Sequence, residues 1–164
     1  MAFKRVGDAL ETGARLLAAR LSENLTSRGS VASGELGASI EVKTPSPKGG
    51  TYSANVYMND YWEFVDEGRK PGKRPPIQPI LKWLSYPAVQ DRMTFGRGAM
   101  MDTNLESIAY LIAAKIGREG TKGNHFATDV FDSDLPDDIE KLIINAAEED
   151  FDELIEELQR LADT

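Results

Sequence analysis

Residues 61–84 read YWEFVDEGRKPGKRPPIQPILKWL, and the rest of the chain is organised around them. An aromatic and apolar run of Tyr61, Trp62, Phe64 and Val65 stops at Gly68. A cationic excursion follows, in which Arg69, Lys70, Lys73 and Arg74 supply four bases in six residues. Pro71 and Gly72 forbid both helix continuation and a central strand there. The chain re-enters order through Pro75, Pro76 and Pro79 into Ile80, Leu81, Trp83 and Leu84. The pattern predicts an ordered core projecting a positively charged loop, then a short helix over 77–84 entered through its prolines. Residues 61–65 fit either a third strand or a short helix, with a turn or cap at Asn59-Asp60.

N-terminal to this stretch, two alternating segments predict an antiparallel hairpin. Leu36, Ala38, Ile40 and Val42 occupy the even positions of residues 35–43, and Tyr52, Ala54, Val56 and Met58 those of 51–58. Such a period of two describes half-buried strands. The turn-rich 44–50 joins them. Before the hairpin, Phe3, Val6, Leu10, Ala14, Leu17, Leu21 and Leu25 recur at steps of three and four, predicting an amphipathic helix over 3–27. Gly7 and Gly13 weaken it by about 1 kcal/mol each relative to alanine, so packing must hold it. Gly29 is a fitting stop.

C-terminal to the stretch, residues 85–100 show little periodicity and predict a long loop. Thr103 or Asn104 can cap a helix whose apolar face is Leu105, Ile108, Leu111, Ile112 and Ile116. It ends near 117–120. Residues 121–126 read as a glycine-rich turn, and 126–131 as a helical turn burying Phe126 and Phe131. Asp134 and Pro136 then open a last long helix, with Asp137, Asp138 and Glu140 complementing its dipole. Leu135, Ile139, Leu142, Ile143 and Ala146, then Phe151, Leu154, Ile155, Leu158 and Leu161, make its apolar stripe, with a kink expected around 148–150. The whole reads as α+β: a small antiparallel sheet packed by an N-terminal helix, a central helix and a long acidic C-terminal helix. Residues 1–164 are expected to form one domain, with 1–131 as body and 132–164 as the acidic helix.

Charge is distributed unevenly. The net charge is −8, yet residues 132–164 hold 13 acids against two bases, leaving 17 bases against 14 acids in the body. A solvated helix face or a contact with a basic partner, such as a neighbouring copy's body, would each account for the acidic segment. With 41% apolar and 28% charged residues, the composition is that of an ordinary globular chain. The absence of cysteine excludes disulfides and thiolate metal sites from the chain. No apolar run approaches the roughly 20 residues of a membrane helix, and Phe3-Lys4-Arg5 does not open a signal peptide, so cytosolic synthesis is expected.

The residue inventory speaks against catalysis. His125 is the sole histidine, with no cysteine and no second imidazole to work with. Residues 117–123 (GREGTKG) follow a helix and lack Gly-Lys-Ser/Thr at the spacing a phosphate-binding loop needs. The acids at 148–153 lack calcium-loop spacing. No catalytic, metal or cofactor-binding residue is therefore assigned. The four loop bases admit a solubilising role, phosphate contact without sequence reading, or a protein contact. Without aromatics inside the loop for base stacking, the protein contact is preferred.

Three pieces taken together carry a resemblance: EFVDEG at 63–68, RPPIQPILKW at 74–83, and IAYLIAAKIGREGTKGNHF at 108–126. Their order and spacing resemble tail-completion proteins of long-tailed bacteriophages, the neck or minor tail components of the head–tail joining region. The resemblance covers roughly residues 3–131 and marks Glu63, Gly68, Pro75, Pro76, Trp83, Gly120, Thr121, Gly123 and Phe126 as family-motif positions. It implies an α+β subunit of a ring, commonly six-fold, that completes the tail and joins it to the head. Double-stranded DNA would pass through the lumen without sequence-specific reading. Implied partners are further copies of the chain, the head–tail connector, and tail-tube or terminator proteins. No membrane and no cofactor is implied. The implied location is the virion neck or tail, after synthesis in the host bacterial cytoplasm. Arg69, Lys70, Lys73 and Arg74 are then expected at a subunit contact, an inter-ring contact or the lumen. The alternatives are a tail-terminator ring, of a phage or of a tail-like particle, and a non-specific nucleic-acid-binding accessory protein using the 69–74 loop.

Overall fold

A computed structural model describes residues 3–29, 34–44, 47, 50–92 and 104–163 of the chain. The architecture is α+β, as the sequence predicts. Helix α1 (Lys4–Ser27) follows the apolar period and buries Ala14, Leu21 and Leu25. It stops where Gly29 turns to φ 68° and donates its N–H to Thr26 O at 3.0 Å. Residues 35–38 depart from the expected strand and form one helical turn, α2 (Glu35–Ala38). Leu36 and Ile40 are four residues apart, a spacing that suits a helical turn as well as an alternating strand. Gly34, at φ 73°, starts the turn, and Leu36 is buried from it.

The hairpin is present but short. β1 (Glu41–Lys43) pairs antiparallel with β2 (Asn55–Tyr57), with Val42 opposite Val56. The alternation extends beyond the ladder: Tyr52, Ala54, Val56 and Met58 are all turned partly inward. The connection at 45–46 and 48–49 lies outside the described residues. The open choice at 61–65 resolves as a helix, α3 (Trp62–Asp66). A two-residue strand β3 (Gly68–Arg69) follows.

Helix α4 (Ile77–Leu84) has the predicted bounds, and its proline-led entry leaves Pro76 at the N-cap position. The expected loop from 85 is interrupted by α5 (Pro87–Arg92), where proline takes the first helical position. The rest of that loop, 93–100, lies outside the described residues. Asn104 caps α6 (Leu105–Glu119), its side chain accepting the Glu106 N–H at 3.0 Å. The buried face of α6 is rotated from the predicted one. Ala109 and Ala113 are buried against Ile80 and Leu84 of α4, while Leu105 and Leu111 are exposed. Two alanines at the contact let the helices approach closely, so the large side chains flank it instead of filling it.

Strand β4 (Thr121–Lys122) and helix α7 (Thr128–Phe131) lead into α8 (Leu135–Ala162), which runs unbroken through the expected kink. The Asp134 side chain makes no cap; Ser133 Oγ accepts the Leu135 N–H at 3.3 Å instead. Phe126 is fully buried, but Phe131, expected beside it, is half exposed. Helix α8 packs antiparallel along α1. Ile139 meets Gly13, where a Cβ would lie 2.6 Å from Ile139 Cγ2, and Phe151 meets the Phe3 ring edge-on at 5.1 Å. The glycine that weakens α1 in isolation is therefore a place where α8 packs too close for a Cβ. Two small antiparallel ladders, β1–β2 and β3–β4, take the place of the single sheet expected. The main core gathers Leu21, Leu25, Leu36, Phe126, Ala127 and Val130.

Candidate functional site

Two of the three motif segments lock together. Residues 63–68 and 120–126 are far apart in sequence, yet Gly68 pairs with Lys122 and Arg69 with Thr121 across β3 and β4. Val65 O accepts the Asn124 N–H and Asp66 O the His125 N–H, each at 3.0 Å. The two backbones come so near that a side chain cannot fit between them. A Cβ on Gly123 would overlap Asp66 O, and one on Gly68, already at φ 82°, would overlap Thr121 O. Gly120 closes α6 at φ 74° against Arg69 O.

The buried Asp66 carboxylate completes the lock. Its Oδ1 accepts the N–H groups of Ala127 at 2.7 Å and Thr128 at 3.2 Å, and its Oδ2 the Thr128 hydroxyl at 2.5 Å. These are donors at the N-terminus of α7, which has no side-chain cap of its own. Burial opposes the charge, but the Thr128 hydroxyl, the two N–H groups and nearby His125 outweigh it and hold the carboxyl below its ordinary range. Asn24 of α1 and Arg28 just beyond its end tie the same turn from the other side, through the carbonyls of Phe126 and Asn124; Arg28 also pairs with Asp129.

The cationic loop rises from this base, although it does not project freely as the sequence suggests. The Gly72 N–H donates to Gly117 O at 2.8 Å, which lays the loop against the end of α6. Arg69 Nη2 donates to Lys73 O at 2.6 Å. Arg74 Nη1 donates to the Tyr110 hydroxyl at 2.9 Å, with its guanidinium over the same ring at 5.5 Å. Lys70 and Lys73 are exposed. The arginines are thus positioned by the fold, while the two lysines extend into solvent from a fixed base.

Of the remaining motif residues, Phe126 is fully buried, and Pro75 is half-buried before Pro76 at the entry to α4. Glu63 and Thr121 are exposed, as is Trp83, at 39%. His125 is exposed, at φ 55° in the glycine-rich turn.

A second buried carboxylate escaped the sequence reading. Asp150, expected on a solvated face, is 7% exposed and accepts the N–H groups of Arg5 at 3.3 Å and Val6 at 3.0 Å. It caps α1, whose own N-cap position, Phe3, has no side-chain acceptor. Burial again opposes the charge, and the Val6 and Arg5 donors lower the pKa despite it. The Arg5 guanidinium also meets Glu149 at 3.3 Å, and Glu153. Sequence gives one signal for this role: Asp150 lies on the same side of α8 as the apolar stripe between Ala146 and Leu154.

One concavity of about 570 Å³ lies between α1, β2 and α8, bordered by Leu10, Leu17, Val56, Met58, Trp62 and Phe131. No carboxylate, imidazole or amine lines it. Among the described residues, no cluster of three or more His, Cys, Asp or Glu could hold a metal ion, and no helix is long and apolar enough to cross a membrane. What the geometry offers is a basic loop tied to α6 by Gly72 and Arg74, and an acidic helix. In comparisons with known proteins, the chain has no significant match to a family model, a curated protein or a solved structure.

Proposed function

We propose that the chain is a structural subunit of a tailed-bacteriophage neck or tail, forming a ring that completes the tail and joins it to the head. The observation that carries this reading is the interlock of 63–68 with 120–126. The motif pieces that resemble tail-completion proteins are separate in sequence yet form one unit here, built on Gly68, Gly123 and Asp66. That unit presents Arg69, Lys70, Lys73 and Arg74 on a hydrogen-bonded base, a fitting place for a subunit contact or a lumen lining. The ring surrounds double-stranded DNA without reading its sequence, and its neighbours are the head–tail connector and tail-tube or terminator proteins.

The test is the mass of the purified chain in solution together with negative-stain images. Uniform rings, lost when the four loop bases are replaced by serine, are the expected result. A chain that forms no rings and instead retards duplex DNA with steep salt dependence would favour the nucleic-acid-binding alternative.

A further inference from the structure

The end of α8 has no counterpart on α1. Asp150 sits at the first turn of α1 and Phe151 at Phe3, so residues 152–162 run past the start of that helix for about 16 Å. Along this overhang Ile155, Leu158 and Leu161 continue the apolar stripe and are exposed at 51%, 57% and 69%. Asp152, three residues before Ile155, and Glu157, four before Leu161, flank this edge, while Glu156 lies on the reverse. A surface that is apolar and basic together would fit an acidic helix with an exposed apolar edge.

The chain carries such a surface on the outer face of α6. Leu111, 67% exposed, and Ala114 form a strip with Arg118 at its end and Lys115 beside it. Tyr110, stacked by Arg74, borders the strip on the side where the 69–74 loop lies. The loop's four bases join Lys115, Arg118 and Lys122 there, against only Glu106 and Glu119 in 69–74 and 105–122; Glu119 holds Arg118 at 2.6 Å and reaches Lys115 at 4.0 Å, so the loop carries most of the positive charge open to a partner. The concavity beside α1 is a poorer fit, because no cation lines it and α8 itself forms one wall.

We propose that the overhanging half of α8 docks on the α6 face and basic loop of a second copy of this chain. Ile155, Leu158 and Leu161 cover Leu111 and Ala114, while the flanking acids Asp152 and Glu157 meet the bases on either side of that strip, Lys70 and Lys73 of the loop and Lys115 of α6. The two patches differ, so the contact is heterologous and propagates from copy to copy, closing into a ring when the rotation permits. It supplies the ring reading with its interface and rests on that reading only for closure.

The chain has no cysteine, so single-cysteine variants of the full-length protein test the pairing directly. Leu111→Cys and Leu158→Cys alter exposed side chains and leave the core intact. Oxidising their mixture at high protein concentration is expected to give 111–158 crosslinked dimers. An Arg20→Cys control mixed with Leu158→Cys should give few. Changing the four loop bases to Glu in the Leu111→Cys chain should cut the yield about tenfold, and Asp152→Lys with Glu157→Lys in its partner should restore it. Dimers formed only through 158–158, or a 111–158 yield no higher than the control, overturn the proposal. Rings in negative stain without the 111–158 crosslink refute this pairing alone; the crosslink without rings refutes closure alone.

Discussion

The carboxylate of Asp66 accepts the backbone N–H of Ala127 at 2.7 Å, joining the end of α3 to the start of α7. With the Thr128 N–H and hydroxyl on the same group, one acid caps a helix that begins sixty-two positions away. Removing the acceptor strands buried donors, which is more costly than losing an exposed cap. Asp66→Ala is expected to destabilise the fold by about 2–4 kcal/mol. Asp66→Asn should do less harm, because one amide oxygen still accepts. Denaturant unfolding measures both; equal stability of Asp66→Ala and the parent would remove the lock from the account.

Gly123 and Gly72 should respond oppositely to the same change. An alanine at 123 drives Cβ into the Asp66 carbonyl, whereas nothing lies within 4 Å of a Cβ at 72. Gly123→Ala is expected to cost at least about 2 kcal/mol, and Gly72→Ala to stay within about 0.5 kcal/mol of the parent. Thermal melts of the two variants side by side decide the matter.

Acid should weaken the protein through Asp66 and Asp150. Both have folded pKa values below their ordinary range, while an unfolded aspartate titrates near ~3.9. Between those values the unfolded chain binds more protons, so the contribution is complete above about pH 4 and is lost as pH falls through the lowered folded values. Melting temperature should therefore drop on acidification below about pH 4, and less steeply in Asp66→Asn. An unchanged slope in that variant would exclude Asp66 as a source.

Arg5 sits among Glu149, Asp150 and Glu153 at the point where α8 leaves α1. Its side chain is partly exposed, so Arg5→Ala should change global stability little. Local fraying is the expected effect. Amide exchange should rise several-fold in the first turn of α1 and around residue 150, while the Asp66 turn stays protected. Uniform exchange across both regions would show that Arg5 does not anchor α8.

The elements legible in the sequence are those with long, regular periods. Helices α1 and α8 follow from their apolar spacing, α4 from its proline-led entry, α6 from its period and a cap at Thr103 or Asn104, and the hairpin from its alternation. What was missed depends on contacts between distant segments. The β3–β4 ladder is two residues long, too short for any period, and exists because Gly68 and Gly123 admit close backbones. Asp66 looks like any acid beside Glu67 until the start of α7 is brought to it, and Asp150 gives only its place on the apolar side of α8 as a signal. The four loop bases were found from composition alone; that Arg69 and Arg74 are tied down, by Lys73 O and by Tyr110, was not readable from it.

The central claim, a structural place at the head–tail junction, is tested most directly in the particle. Antibody labelling of purified phage particles should place the chain at the neck or the adjoining end of the tail. Disrupting its coding sequence should leave filled heads and separate tails that fail to join. Infectious particles of normal form that lack the chain would contradict the account.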